Sequence, residues 1–298
     1  MKKFITPDRP LERVRILFLA LLLALVAGCS TVRFTYNHGD TLLYWWLDAY
    51  VDLDSEQADW VKRDIDSLFQ WHRKTQLRDY AEMMGNWQRQ LAGNPTQADL
   101  VADYRDIKAR TESLAFKVVP DMADLARSIK PDQIAQIERK FRANNEKFRN
   151  KNMSGSLEHQ RDVRFKKAME QLELWFGRFS KDQEAALRRA SDERPLENEI
   201  WLEERMLRQK KIIALLQRVQ QQKLNKEQTM AAINQLLREF FDRMEAPERK
   251  AFYDAYVDST SKFILTAIRL TTPEQKAHAQ KRMQGWIQDF NVLAANAK

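Results

Sequence analysis

The side chain with the most definite chemistry is Cys29, the only cysteine in 298 residues, which closes the run Leu25-Val26-Ala27-Gly28-Cys29. A lone thiol has no intramolecular disulfide partner and cannot build a multi-cysteine metal site. It follows two small residues and an apolar stretch. The four histidines, His38, His72, His159 and His278, are far apart, and none has a second histidine at the i+4 spacing of a helical zinc pair. Glu274 and His278 could meet across one helical turn, as a surface pair. Asp48, Asp52 and Asp54 form a carboxylate group suited to capping helices and pairing with nearby Lys and Arg. No Gly-x-Ser-x-Gly elbow, Walker loop or dinucleotide fingerprint occurs, and seven glycines leave little material for a phosphate cradle. The expectation is a non-enzyme with no catalytic residues, no metal and no cofactor beyond what Cys29 carries.

What precedes Cys29 explains it. Lys2, Lys3, Arg9, Arg13 and Arg15 make a basic leader, diluted by Asp8 and Glu12, and Ile16 to Ala27 is unbroken apolar sequence. Twelve helical residues cover about 18 Å, short of the ~30 Å hydrocarbon core, so the run suits a cleaved signal better than a span. Basic leader, short apolar run and small-small-Cys together resemble a bacterial lipobox. That resemblance implies residues 1–28 as signal peptide and Cys29 bearing diacylglycerol and an N-acyl chain. With Ser30 in place of an inner-membrane retention aspartate, it further implies sorting to the outer membrane, facing the periplasm. Two or three acyl chains anchor far more firmly than one.

Charge offers the second lead. Removal of residues 1–28 lowers the net charge from +8 to +5. Between Arg139 and Lys167 lie ten basic residues, Arg139, Lys140, Arg142, Lys147, Arg149, Lys151, Arg161, Arg164, Lys166 and Lys167, against Glu146, Glu158 and Asp162. Phe141, Phe148 and Phe165 are interleaved. In the cytoplasm such a segment would suggest nucleic acid. Behind a lipobox, nucleic acid is not expected, and the anions on offer are lipid phosphates, peptidoglycan carboxylates and acidic proteins. The alternative is a solvated helix face with its phenylalanines turned to the core.

The elements that must carry these residues are helices. Few glycines and prolines and 44% hydrophobic residues exclude a collagenous or disordered chain. No stretch alternates with period two. A start signal recurs at Leu53-Asp54-Ser55-Glu56-Gln57, Ile129-Lys130-Pro131-Asp132-Gln133, Phe179-Ser180-Lys181-Asp182-Gln183, Leu224-Asn225-Lys226-Glu227-Gln228 and Thr271-Thr272-Pro273-Glu274-Gln275. In each, a cap residue precedes a glutamine by three positions, as in a capping box, although Lys130 is a poor cap. These signals, with Pro95, Pro120, Gly155 and Pro195, predict helices over 40–52, 55–92, 96–118, 121–128, 131–150, 156–178, 181–192, 196–223, 226–244, 247–270 and 273–295. The expected architecture is all-α: a multi-helix bundle or curved array of about ten helices, with 29–37 as lipidated tether, 38–298 as one domain and a hinge near 150–156.

The opening Tyr36-Asn37-His38-Gly39-Asp40, then Leu42-Leu43-Tyr44-Trp45-Trp46-Leu47-Asp48-Ala49-Tyr50-Val51-Asp52-Leu53 with Glu56-Gln57, resembles an uncharacterised family of proteobacterial lipoproteins. The resemblance extends from the lipobox to near the C-terminus and implies an all-helical periplasmic lipoprotein without assigning an activity. The repeated glutamine starts bear a weaker resemblance to the Spy-type periplasmic chaperones. Trp45 and Trp46 fall on adjacent faces, so one is expected in the core and the other at the lipid interface, or both in a docking patch. Candidate binding residues are Trp45, Trp46, Asp48, Arg139, Lys140, Arg142, Lys147, Arg149, Lys151 and Arg164. The function expected is a membrane-anchored holder of an envelope protein client or anionic envelope polymer, chaperone-like in character. The alternatives are an accessory of an outer-membrane assembly docking through the tryptophans, and an envelope-acting enzyme.

Overall fold

The computed structural model describes residues 31–297; the expected signal segment, 1–28, and Cys29 lie outside the described residues. Thirteen helices and no strand occur among them. They are α1 (Thr31–Asn37), α2 (Gly39–Val51), α3 (Ser55–Thr75), α4 (Leu77–Ala92), α5 (Gln97–Lys117), α6 (Val119–Ser128) and α7 (Pro131–Asn152). After a four-residue turn come α8 (Leu157–Phe176), α9 (Lys181–Asp192), α10 (Asn198–Gln221), α11 (Lys226–Asp242), α12 (Pro247–Leu270) and α13 (Pro273–Ala295). No described helix is long and apolar enough to cross a membrane.

Two expectations need correction. The tether at 30–37 is helical from Thr31 onward. Weak local periodicity is overridden there by packing: Tyr36 Oη lies 2.7 Å from His72 Nδ1, and Arg33 pairs with Asp289 at 2.9 Å. The helix expected over 55–92 divides at Gln76 into α3 and α4. Thr75 Oγ1 donates to the Trp71 carbonyl at 2.8 Å, a back-bond that bends helices. With α1 and this division, the expected helices account for all thirteen.

The recurrent start signals do more than cap. Asp54, Ser180 and Thr272 each accept the backbone N–H of the glutamine three residues on, and that glutamine's Oε1 accepts the cap's own N–H. Lys130 lacks an acceptor, so only the second half forms, Lys130 N to Gln133 Oε1 at 2.9 Å. The glutamines then pair across the fold. Gln57 Nε2 donates to the Ser128 carbonyl at 2.9 Å and Gln133 Nε2 to the Asp52 carbonyl at 2.9 Å, while the two amides bond each other. Gln183 and Gln275 repeat the pattern on the carbonyls of Leu270 and Arg178, at 2.6 and 2.7 Å. Each glutamine therefore reaches the carbonyl two residues before its partner's cap. The turn between α2 and α3 is tied to that between α6 and α7, and α8–α9 to α12–α13.

One apolar cluster sits on each junction. Val51, Val119, Ala123, Ile129, Ile134, Ile213, Leu216 and Ile233 join α2, α6, α7, α10 and α11. Leu91, Met169, Leu172, Phe176, Leu187, Phe263, Ala267 and Ala279 join α4, α8, α9, α12 and α13. Helix α13 also runs along α4, closing a third cluster of Leu77, Leu293 and Ala294 with Tyr36 and Phe290. Gly39 lets α2 start against α3, where a Cβ would meet the Phe69 ring at 2.7 Å. Within the expected hinge at 150–156, residues 150–152 close α7 and the turn at 153–156 is held on both flanks, since Asn198 Nδ2 donates to the Asn152 carbonyl at 2.6 Å and Gln160 Nε2 to the Met153 carbonyl at 3.1 Å.

Candidate binding surface

Helix α2 turns Leu47, Tyr50 and Val51 to the first core, which leaves Leu42, Trp45 and Trp46 outward. Spacing of three and four residues puts these on one stripe. Trp45 and Trp46 are 61% and 58% exposed, so neither fills the core, against the expectation that one would. Phe34 on α1, 63% exposed, stacks edge-on with His38 at 4.7 Å and continues the stripe toward the N-terminus. Such a row of large exposed apolar side chains is not a packing necessity, which makes it a candidate interaction surface.

The basic segment meets this stripe at Tyr50. The Trp46 and Tyr50 rings are 4.9 Å apart, and Phe141 of α7 lies edge-on to Tyr50 at 6.0 Å. Asn144 Nδ2 donates to the Tyr50 hydroxyl at 2.7 Å, and Lys140 Nζ sits 5.6 Å above the ring. The two stretches that the sequence singles out separately therefore meet at Tyr50, where α2 supplies Trp46 and α7 supplies Lys140. Arg139, Arg142, Lys147, Arg149 and Lys151 are all exposed along α7. Their partners are local or weak: Arg139 bonds Gln136, Arg142 lies 3.8 Å from Glu138, and Arg149 approaches Met206 sulfur at 3.6 Å. Phe141 and Phe165 pack against the first and second clusters, as the core-facing reading of the phenylalanines expects, whereas Phe148 lies under the Arg205 guanidinium at 5.9 Å.

Other expected residues have local duties. Asp48 Oδ1 accepts the Leu53 N–H at 3.0 Å, and its carbonyl accepts the Asp52 N–H at 2.7 Å, closing a turn in which Asp52 has φ 58°. Asp54 caps α3, and the Gln57 amide, then Lys130, holds its carboxyl below the ordinary range. Asp48 and Asp54 thus act as separate caps. Arg164 leaves the basic face and turns inward on α8 to backbone carbonyls. His278 bonds the Trp175 carbonyl at 2.8 Å through Nδ1.

Sequence reasoning missed two cavities. One of about 910 Å³ lies between α1, α3 and α13, walled by Val32, Tyr36, Phe69, His72 and Trp286. Burial, opposed in part by Arg73, pushes the Tyr36 hydroxyl up to about 12, and burial lowers His72. The other, about 470 Å³, is walled by Trp87, Tyr104, Trp175 and Tyr256. Its Asp103 carboxyl is raised by burial, against hydrogen bonds from Gln90 and Trp87. The Val32–Tyr36 spacing hints at an inward face, but nothing local joins residues 36 and 286.

Comparison with known proteins adds one finding. No curated protein and no solved structure matches the chain. The model of a family of unknown function (DUF6279) matches residues 49–239, from the last turn of α2 through nearly all of α11. The match starts inside the aromatic opening, not at the cysteine, and stops before α12, a narrower span than the sequence resemblance suggests. It takes in the first core, the Gln57–Gln133 junction and the whole basic helix α7. By that match the chain belongs to the DUF6279 family of unknown function.

Proposed function

We propose that this protein is a non-enzymatic, lipid-anchored binding protein of the cell envelope, held at the outer membrane through Cys29 and facing the periplasm. Its aromatic–basic face holds an anionic envelope surface or client. The supporting observation is the meeting at Tyr50 of the exposed stripe, through Trp46, and Lys140 of the basic helix α7. Indoles suit a half-wet interface, and adjacent Lys and Arg suit anionic head groups or acidic polymers. Cys29 lies two residues before α1, so an anchor there would bring this stripe close to the membrane.

The test uses the mature chain with Cys29→Ser, so that binding reports the face alone. Affinity for vesicles containing anionic lipid is expected to fall with rising salt, and about tenfold or more on combining Trp45→Ala with Trp46→Ala. Because both indoles are largely exposed, the melting temperature should move by no more than about 4 °C. Unchanged vesicle binding in the double variant would refute a membrane-facing role for the stripe. A docking accessory, the second reading, is supported by the exposure of both tryptophans. It predicts unchanged vesicle binding but loss of one dominant crosslinked partner from a probe at Trp45 in cells.

A further inference from the structure

Away from the aromatic–basic face, buried polar atoms lack partners at one place. Among the described residues five buried side-chain nitrogen or oxygen atoms have neither a hydrogen-bond nor an ion-pair partner. Four of them, Arg164 Nε, Ser191 Oγ, Asp192 Oδ1 and Arg194 Nε, fall around the C-terminal end of α9. An unsatisfied buried group costs about 1–3 kcal/mol, and two of the four belong to arginines that also form the wall of an adjoining cavity. A cavity of about 340 Å³ opens there, with Arg164, Arg194, Trp201 and Tyr256 in its wall.

The electrostatics give the occupant's sign. Arg164 donates to the carbonyls of Ser191, Arg194 and Pro195 at 2.6, 3.0 and 2.8 Å, and Arg194 donates to Thr260 Oγ1 at 3.1 Å. Neither guanidinium has a carboxylate within ion-pair distance among the described residues, because Arg188 engages both Asp162 and Asp192. Burial, and then the charge of Arg194, pushes Arg164 down to about 10. Two desolvated cations side by side favour an anion between them. Glu197 also lines the cavity and offsets one charge, which favours a monoanion over a dianionic phosphate. The opposite wall is aromatic: Trp201 lies 4.9 Å from Tyr256 and 5.1 Å from Phe252, ring to ring.

We infer that this cavity binds a carboxylate carried on an apolar or aromatic side chain, the size of one C-terminal residue of a peptide. The carboxylate would be held by the guanidinium N–H groups of Arg164 and Arg194 that the backbone carbonyls and Thr260 leave free, and the side chain would lie on Trp201 and Tyr256. The site is built from α8, α10, α12 and the loop after α9, none of which forms the α1–α2 stripe, so either site can fail without the other.

The probe is N-acetylphenylalanine, titrated calorimetrically into the mature chain beside its amide and inorganic phosphate. The expected result is saturable binding of the acid, with the amide and phosphate each at least about tenfold weaker. Arg194→Met should weaken the acid by a similar factor while leaving the melting curve in place. The acid–amide contrast needs no variant, so the inference is exposed even if Arg194→Met misfolds. Equal binding of acid and amide, phosphate binding as tight as the acid, or no binding to natively melting protein would each overturn it.

Discussion

Glu204→Ala is expected to remove about 3 kcal/mol of stability and lower the melting temperature by about 6–12 °C. Glu204 is 1% exposed on α10, yet it is the centre of a charge cluster. Arg243 makes a two-pronged contact, Nε and Nη2 each at 3.0 Å from one carboxylate oxygen, and Arg249 Nε donates at 2.6 Å. Those bonds tie α10 to the loop after α11 and to the first turn of α12. Truncating the acid leaves two largely covered guanidinium groups without their shared anion, the costly way to break a buried pair. The loss sits at the lower end because Arg243 retains Glu248 and Arg249 retains Glu203.

The pH dependence has a definite sign. Burial pushes the Glu204 carboxyl up, but the hydrogen bonds and charges of Arg243 and Arg249 outweigh it and hold it below the ordinary range. A folded pKa below the unfolded one gives stability that is complete above the unfolded value and lost as pH falls through the folded value. The gap in melting temperature between wild type and Glu204→Ala should therefore be widest near neutrality and narrow in acid. A gap independent of pH, or no gap, would show that the carboxylate contributes little. Glu204→Gln, which keeps shape and an acceptor, should fall between the two proteins.

Helices and their starts were legible in the sequence because capping is local: Asp54, Ser180, Asn225 and Thr272 lie three residues from the glutamines they cap. The burial of Val61 and Ile65 on α3, and of Leu77, Ala81 and Met84 on α4, follows equally from three- and four-residue spacing along each helix. What the sequence could not show is pairing over distance. Gln57 and Gln133 are 76 residues apart, and Gln183 and Gln275 are 92 apart. The same limit governs the proposed binding face. Trp46 and Lys140 each stood out, but only the packing of α2 on α7 puts both beside Tyr50. Arg164 shows the converse: ten basic residues read as one run, yet the turn at 153–156 sends α8 elsewhere and buries this one. Helix α1 was missed because seven residues carry little periodic signal and its stability comes from α3 and α13.

Gln133→Glu separates a capping role from a pairing role, and it should be nearly as damaging as Gln133→Leu, each costing about 3 kcal/mol. At the third helical position glutamate is as good a capping-box residue as glutamine. If Gln133 only closed the start of α7, the carboxylate would still accept the Lys130 N–H and little would change. The structure asks more of it: Gln133 Nε2 must donate to the Asp52 carbonyl at 2.9 Å and to Gln57 Oε1 at 2.6 Å. A carboxylate cannot donate, so the Asp52 carbonyl loses its partner and two acceptors face each other in a site where Gln133 is 4% exposed. Leucine loses the donor and the acceptor together. The Gln57→Leu and Gln133→Leu pair should then be strongly non-additive, with a coupling of about 1 kcal/mol or more, because the second change removes a group already left unpaired. At the other junction Gln183 is only half-buried, so water can replace a lost partner and Gln275→Glu should cost about half as much. Denaturant unfolding of the five proteins decides it. A tolerated Gln133→Glu would reduce the glutamines to ordinary caps, whereas a damaging Glu with coupled leucines identifies the paired amides as the ties that fix two pairs of helix turns to each other.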